Sequence, residues 1–334
     1  MNGAFHYYLT YLIALRANFE PKEAFIVAYS AQYTDGNSKK YKIINKETNT
    51  IYKNYISQTA NIAKPEKELM RIYPIFHFMP GTIEEIINFS ASRKDGKFHV
   101  LNTIPDNTNA RAVLGEAIRT KDLYRIGIAA HVFADTFAHQ NFVGYYESFN
   151  SMKGVLETII PDIGHADAMH YPDWPAHKWN DIRLITKHSE VDNKERFLLA
   201  AGRLFEEFYS YKDPTYPSDR LDREKMSLLA EIDRAIGEQD IDNKDNKNRI
   251  ARYIALIKNI VSNSFMDYDS NTWFRLAVKA KGFLGSIMGK YKWREDNYLD
   301  SNWYKFQEAI KAHQKFTNEN IVGHITKNLE LERW

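Results

Sequence analysis

The chain has 334 residues, 44% of them apolar, enough to bury a sizeable core. Lys and Arg number 45 against 43 Asp and Glu, a formal charge of +2, which excludes a strongly basic nucleic-acid sleeve or an acidic disordered tail as the dominant theme. Cysteine is absent, so disulfides, thiolate metal sites and cysteine nucleophiles are excluded, and any metal site must be built from His, Asp and Glu.

In chain order, Phe5, Leu9, Leu12 and Ile13 recur at helical spacing, and Pro21 stands where a second helix would open through Phe25, Ile26 and Tyr29. Within Met1 to Ala17 the stretch Tyr7 to Leu15 is apolar and short, but it lacks a basic leader and is interrupted by Thr10, so it reads as mature protein. With no stretch near the ~18 apolar residues of a membrane span, no integral membrane segment is expected. The lack of cysteine then fits a cytoplasmic location. Tyr41–Ile44 and Ile51-Tyr52, around the polar Asn45–Thr50, suggest one small β-hairpin. Helical patterns follow at about 82–92, 108–120, 122–143, 191–211, 219–238, 249–265, 272–289, 302–316 and 318–331. The run Asp242–Asn248 reads as a solvated loop. The expected architecture is all-α: a single compact multi-helix domain over 1–334, with a metal-ligand-bearing part (1–180) and a helical C-terminal part (181–334).

The histidines are not scattered. Seven of the eleven fall between His77 and His177, and His131, Asp135 and His139 form a His-x3-Asp-x3-His array. Residues four apart share a helix face, while the rest of this segment is Ala, Ile, Val and Phe, the composition of a buried helix. Two imidazoles and a carboxylate are costly to bury unless paired, and a divalent metal pairs with all three. A hydrogen-bonded network without metal is the plainer alternative. His6 between Phe5 and Tyr7, Asp35 after an apolar helix, His77 between aromatics, and His165 in a segment rich in ligand-type side chains make a set suited to two or three zinc ions.

Other chemistries lack their patterns. There is no His-Glu-x-x-His, no His-Asp doublet and no Walker spacing around Gly282, Gly285, Gly289 and Lys290. Those glycines suit a small-residue helix face. From Arg275 to Arg294 six basic residues and no acids alternate with Phe283, Tyr291 and Trp293, either a solvated helix face or an anionic-surface contact for lipid or a phosphate-bearing polymer.

His6, Asp35, His77, His131-x3-Asp135, His139 and His165 stand in the ligand order of the zinc-dependent phospholipase C and single-strand-specific nuclease superfamily, which this chain resembles. Phe5-His6-Tyr7-Tyr8, His77-Phe78-Met79-Pro80-Gly81 and Ala134-Asp135-Thr136-Phe137-Ala138-His139 look closer still to a related bacterial family of unknown function. The motifs cover residues 1 to about 180. The resemblance implies an α-helical fold with a zinc cleft, in which Asp135 bridges two ions, with His131, His77 and Asp35 on one and His6 on the other. A third ion would use His139 and His165, with Asp167, His170 or Asp173 as further ligands. The sequence departs from that superfamily in three places. It starts Met1-Asn2 rather than with a Trp whose amine is a ligand, His139 follows Asp135 closely, and Met169 stands where an acid normally follows the later His.

The expected function is metal-dependent hydrolysis of a phosphoester by a metal-bridged hydroxide, with Asp135 bridging and Asp35 orienting or deprotonating the water. Lipid head group, nucleic acid and small phosphoester all remain candidate substrates. A non-catalytic metalloprotein with a structural zinc site, and a binding or assembly module, are the alternatives.

Overall fold

Pro21 and two reciprocally bonded glutamates, Glu20 and Glu23, open the first long helix, α2 (Pro21–Gly36). It follows a π-helical stretch, Ala4–Leu9, that runs directly into α1 (Thr10–Arg16) in the computed structural model, which describes residues 1–45, 47–59, 72–90, 92–152, 163–215, 217–280 and 290–328. Strands β1 (Lys42–Ile44) and β2 (Ile51–Lys53) pair antiparallel as the expected hairpin. After α3 (Ile72–Phe76) and α4 (Ile83–Ser90), Asn107 caps α5 (Thr108–Thr120) and Asp122 caps α6 (Leu123–Ala138).

A second short hairpin joins β3 (Lys178–Asn180) to β4 (Glu190–Asp192), with α7 (Thr186–Ser189) between them. The rest is mainly helical: α8 (Asn193–Lys212), α9 (Ser218–Ile236), α10 (Asn246–Val261), α11 (Thr272–Ala277), α12 (Asn302–Thr317) and α13 (Gly323–Asn328).

Helix α6 is the axis of the fold. Every residue from Ile126 to Ala138 is buried, as expected of a helix apolar nearly all round, and α2, α5, α8 and α12 pack against it. Fully burying each Ile, Val or Phe there contributes roughly 1.5–3 kcal/mol. Gly127 allows the closest approach, because a Cβ there would lie 2.3 Å from the carbonyl oxygen of Val27 on α2. From that crossing the two helices run on together. Asp35, about 12 Å beyond Val27 at the helical rise, comes level with His131 and Asp135.

The mostly α, single-body architecture is as expected, and two helical expectations are corrected. The segment 122–143 is helical only to Ala138, with His139 at the C-cap position, though its N–H still bonds the Asp135 carbonyl. The segment 272–289 is not one helix: α11 stops at Ala277 and the chain extends as β5 (Val278–Ala280). Val278 and Ala280 alternate with Lys279 there, and β6 (Lys290–Trp293) pairs with β5, completing a four-stranded sheet in the order β2-β1-β6-β5. Sheet pairing overrides helical propensity at this point. The glycines 282, 285 and 289 lie outside the described residues. Among the described residues no helix is long and apolar enough to cross a membrane.

Candidate metal centre

All eight residues expected as ligands converge at the end of α6. The first group is held by three elements. His131 and Asp135, one turn apart on α6, face Asp35 on α2 and His77 just past α3. His131 Nε2 lies 3.1 Å from His77 Nδ1, 3.2 Å from Asp135 Oδ2 and 3.8 Å from Asp35 Oδ1. His77 Nδ1 lies 3.4 Å from Asp135 Oδ2 and 3.7 Å from Asp35 Oδ1. Four ligands about 2.0–2.1 Å from a tetrahedral ion stand about 3.3 Å apart, so these five spacings match the edges of one coordination tetrahedron.

The second group uses the other oxygen of Asp135. Asp135 Oδ1 faces the Met1 amino group, with which it makes a short contact, and lies 3.1 Å from His6 Nε2. The Met1 nitrogen is also 3.2 Å from Asp173 Oδ1 and 3.3 Å from His139 Nε2, and those two are themselves 3.2 Å apart. This is a triangle with ligand-like edges. His165 Nε2 approaches the other oxygen of Asp173 at 3.4 Å. Gly164, at φ +52°, packs directly against the Phe78 ring and lets the His165 ring come within 4.7 Å of His139. Three sets therefore have the geometry to hold a metal ion: His6, Asp35 and His131; His77, His131 and Asp135; and His139, His165 and Asp173.

Carbonyl oxygens outside the centre orient the imidazoles. His77 donates Nε2–H to the Ser57 carbonyl at 2.8 Å, His139 donates Nδ1–H to the His77 carbonyl at 2.9 Å, and His165 donates Nδ1–H to the Met169 carbonyl at 2.8 Å. Each then presents a lone pair to the centre, the arrangement that outer partners impose on ligating histidines. His6 is fully buried with neither ring nitrogen hydrogen-bonded, a costly state that coordination would relieve.

The electrostatics agree. Burial would raise the Asp135 carboxyl, but the Met1 ammonium and the imidazoles of His139, His131 and His6 outweigh it and hold it well below the usual range. Asp173 is likewise held down against burial by the ammonium and by His165 and His139. Burial alone would depress the Met1 amine, yet Asp135 and Asp173 carry it up to about 10. Burial, followed by the neighbouring His131, pushes His6 down to about 4. Burial would lower His77 as well, but Asp135 and Asp35 hold its imidazole up, so the carboxylates of the centre favour positive charge beside them, which a bound cation would supply.

The centre opens into a cavity of about 640 Å³, whose lining includes Asp35, His77, Asp135, His139, His165 and Asp173. Tyr73, Phe78, Ile163 and Met169 form an apolar wall. Of the further candidates, His170 reaches the lining. Asp167 does not: its Oδ2 accepts from the Met152 N–H at 2.7 Å. The Ser57 carbonyl was not read from the sequence, because residue type carries no signal for a backbone atom. The Met1 amino group stands beside the ligands although Met, not the Trp of the resembled superfamily, carries it.

The sequence matches a family of unknown function, DUF6765, over residues 1–321. The chain belongs to that family. No curated protein and no solved structure matches it.

Proposed function

We propose that this member of DUF6765 is a zinc-dependent phosphoester hydrolase of the phospholipase C or single-strand nuclease type. The observation that carries the reading is the two-sided use of Asp135. One oxygen faces His77, His131 and Asp35 and the other faces the group around Met1 and His6, so one carboxylate would serve two cations. The donor set of imidazole, carboxylate and amine, without thiolate, suits zinc. Structural zinc sites are closed by four protein ligands, whereas catalytic ones keep an open position. Here His77, His131 and Asp135 alone make a three-ligand set. Asp35, the partly exposed fourth vertex, borders a cavity from which water can take its place. That favours catalysis over a purely structural role.

The bound ions would supply positive charge for phosphoryl oxygens and acidify a water. The protein's own part is positioning. Asp135 fixes the spacing of the two sites. Asp35, whose side chain is 31% exposed and lines the cavity, would orient that water and accept its proton where it is not held as a ligand. The apolar wall takes the part of the substrate that carries no charge. The test pairs elemental analysis of untagged protein with turnover of a generic phosphodiester. At least two ions per chain and activity abolished by chelation are expected. Fewer than one ion per chain would sink the proposal. A full metal complement with no turnover would leave the site structural.

A further inference from the structure

The four-stranded sheet has two unlike faces. On the inner face Ile43 is fully buried, and Tyr52, Tyr291 and Trp293 pack on Trp303, Tyr304, Tyr41 and Phe274. The strand period of two places Lys42 and Ile44, Ile51 and Lys53, and Lys279 and Lys292 on the opposite face. The register sets lysine directly against lysine twice: Lys42 against Lys53, and Lys279 against Lys292. Like charges directly opposite are destabilising, and no strand residue of this face is acidic. Lys42 and Lys53 are exposed, and Ile51 beside them is 57% exposed.

This surface replaces the basic helix expected over 275–294. Arg275 is paired with Asp269, and Arg294 donates to the Arg275 carbonyl. The hairpin β1–β2, which carried no functional reading in the sequence, contributes Lys42 and Lys53 instead.

We propose that the outer face of this sheet docks on an anionic lipid bilayer. Lysines around an exposed isoleucine combine the two terms that hold a protein at such a surface, attraction to acidic head groups and burial of apolar area at the interface. Single-stranded nucleic acid is the poorer fit, because it is held by bases stacked on aromatic rings, and every aromatic residue of the four strands lies on the inner face. The net charge of only +2 means that attraction must come from this local cluster. Lys53 is five residues from Gln58, which lines the metal cavity, a span of at most about 18 Å. Docking would bring the cleft close to the head groups. The docking itself does not depend on the hydrolytic reading.

The test is co-sedimentation of the full chain with vesicles of phosphatidylcholine alone and with about 30 mol % phosphatidylglycerol, at low and high salt. Binding to the anionic vesicles only, weakened by salt, is expected. Lys42→Gln with Lys53→Gln should weaken it at least about tenfold. Ile51→Ser should weaken it in a way that persists at high salt. The same variants should leave metal content and turnover of a soluble phosphodiester unchanged, which separates loss of docking from failure of the hydrolytic reading. Equal binding to both vesicle types, no binding at low salt, or no effect of either variant overturns the proposal. Tighter binding to oligothymidylate than to anionic vesicles, lost in the lysine variant, would assign the face to nucleic acid instead.

Discussion

His131 in the N-terminal half and His313 in the C-terminal half are both buried on long helices, and their surroundings differ in kind. His313, on α12, stacks on Phe76 and bonds a single acceptor, the Ile75 carbonyl, at 3.2 Å. No carboxylate reaches it among the described residues. His131 has another imidazole and two carboxylates within 3.8 Å of one nitrogen, while its second nitrogen is unbonded. A core histidine is satisfied by one neighbour, whereas a ligand histidine shares a point in space with other ligands. Burial alone does not separate the two cases; convergence does.

The strongest way to break that contrast is Asp135→Asn. It keeps the volume but removes the charge that faces both groups. The variant is expected to lose at least one ion per chain and more than about a hundredfold in phosphodiesterase activity, beyond the range for outer-shell changes. Helical content should stay near that of the parent by circular dichroism. Unchanged metal content on elemental analysis would refute the bridging role.

A narrower change sharpens the division between the two groups. Asp173→Asn touches only the side with Met1, His139 and His165. We expect one ion to be lost while the site of His77, His131 and Asp35 stays filled. Loss of all metal in this variant would mean that the groups load as one unit.

The outer shell should give a smaller effect. Asn37 is buried, donates to the Tyr55 carbonyl at 2.9 Å and the Ser57 hydroxyl at 3.2 Å, and accepts from Gln307 on α12 at 2.9 Å. It thereby fixes the segment whose Ser57 carbonyl orients His77. Asn37→Ala is expected to weaken metal affinity about 10–100-fold without changing the number of ions at saturation. Titration with a competing chelator reads the difference, and an unchanged affinity would remove Asn37 from the positioning of His77.

Much of this centre was legible in the sequence because helical period alone joins His131, Asp135 and His139, and because imidazole and carboxylate are unusual in so apolar a segment. His6, Asp35, His77, His165 and Asp173 were legible as residue types, but their convergence depends on the Gly127 crossing and on the turns after α2 and α3. The Met1 amine was invisible as a side chain. In the fold, the long periodic helices were readable, and the boundary at Ala277 was not. A three-residue strand such as Val278–Ala280 is defined by its partner across the sheet, and local pattern holds no record of that partner.

His313 offers the mildest test and bears on the core half of the comparison. Burial, partly offset by the Ile75 carbonyl, pushes it from 6.5 down to about 3. The folded state therefore keeps it neutral while the unfolded chain protonates it once pH falls below 6.5. Between those values the unfolded state binds the extra proton, so stability falls as pH falls. At pH 5 the loss relative to neutral pH is about 2 kcal/mol from this residue. His313→Leu, measured by urea unfolding of chelated protein so that the metal centre makes no difference, should flatten that part of the pH profile. The Ile75 carbonyl would lose its donor, at about 1 kcal/mol or slightly more near neutral pH. The variant should thus be less stable than the parent at pH 7 and close to it or better at pH 5. A parallel shift at both pH values would show that His313 is not held neutral by burial. Metal content should not change in either case, and a change there would collapse the distinction between core and ligand histidines.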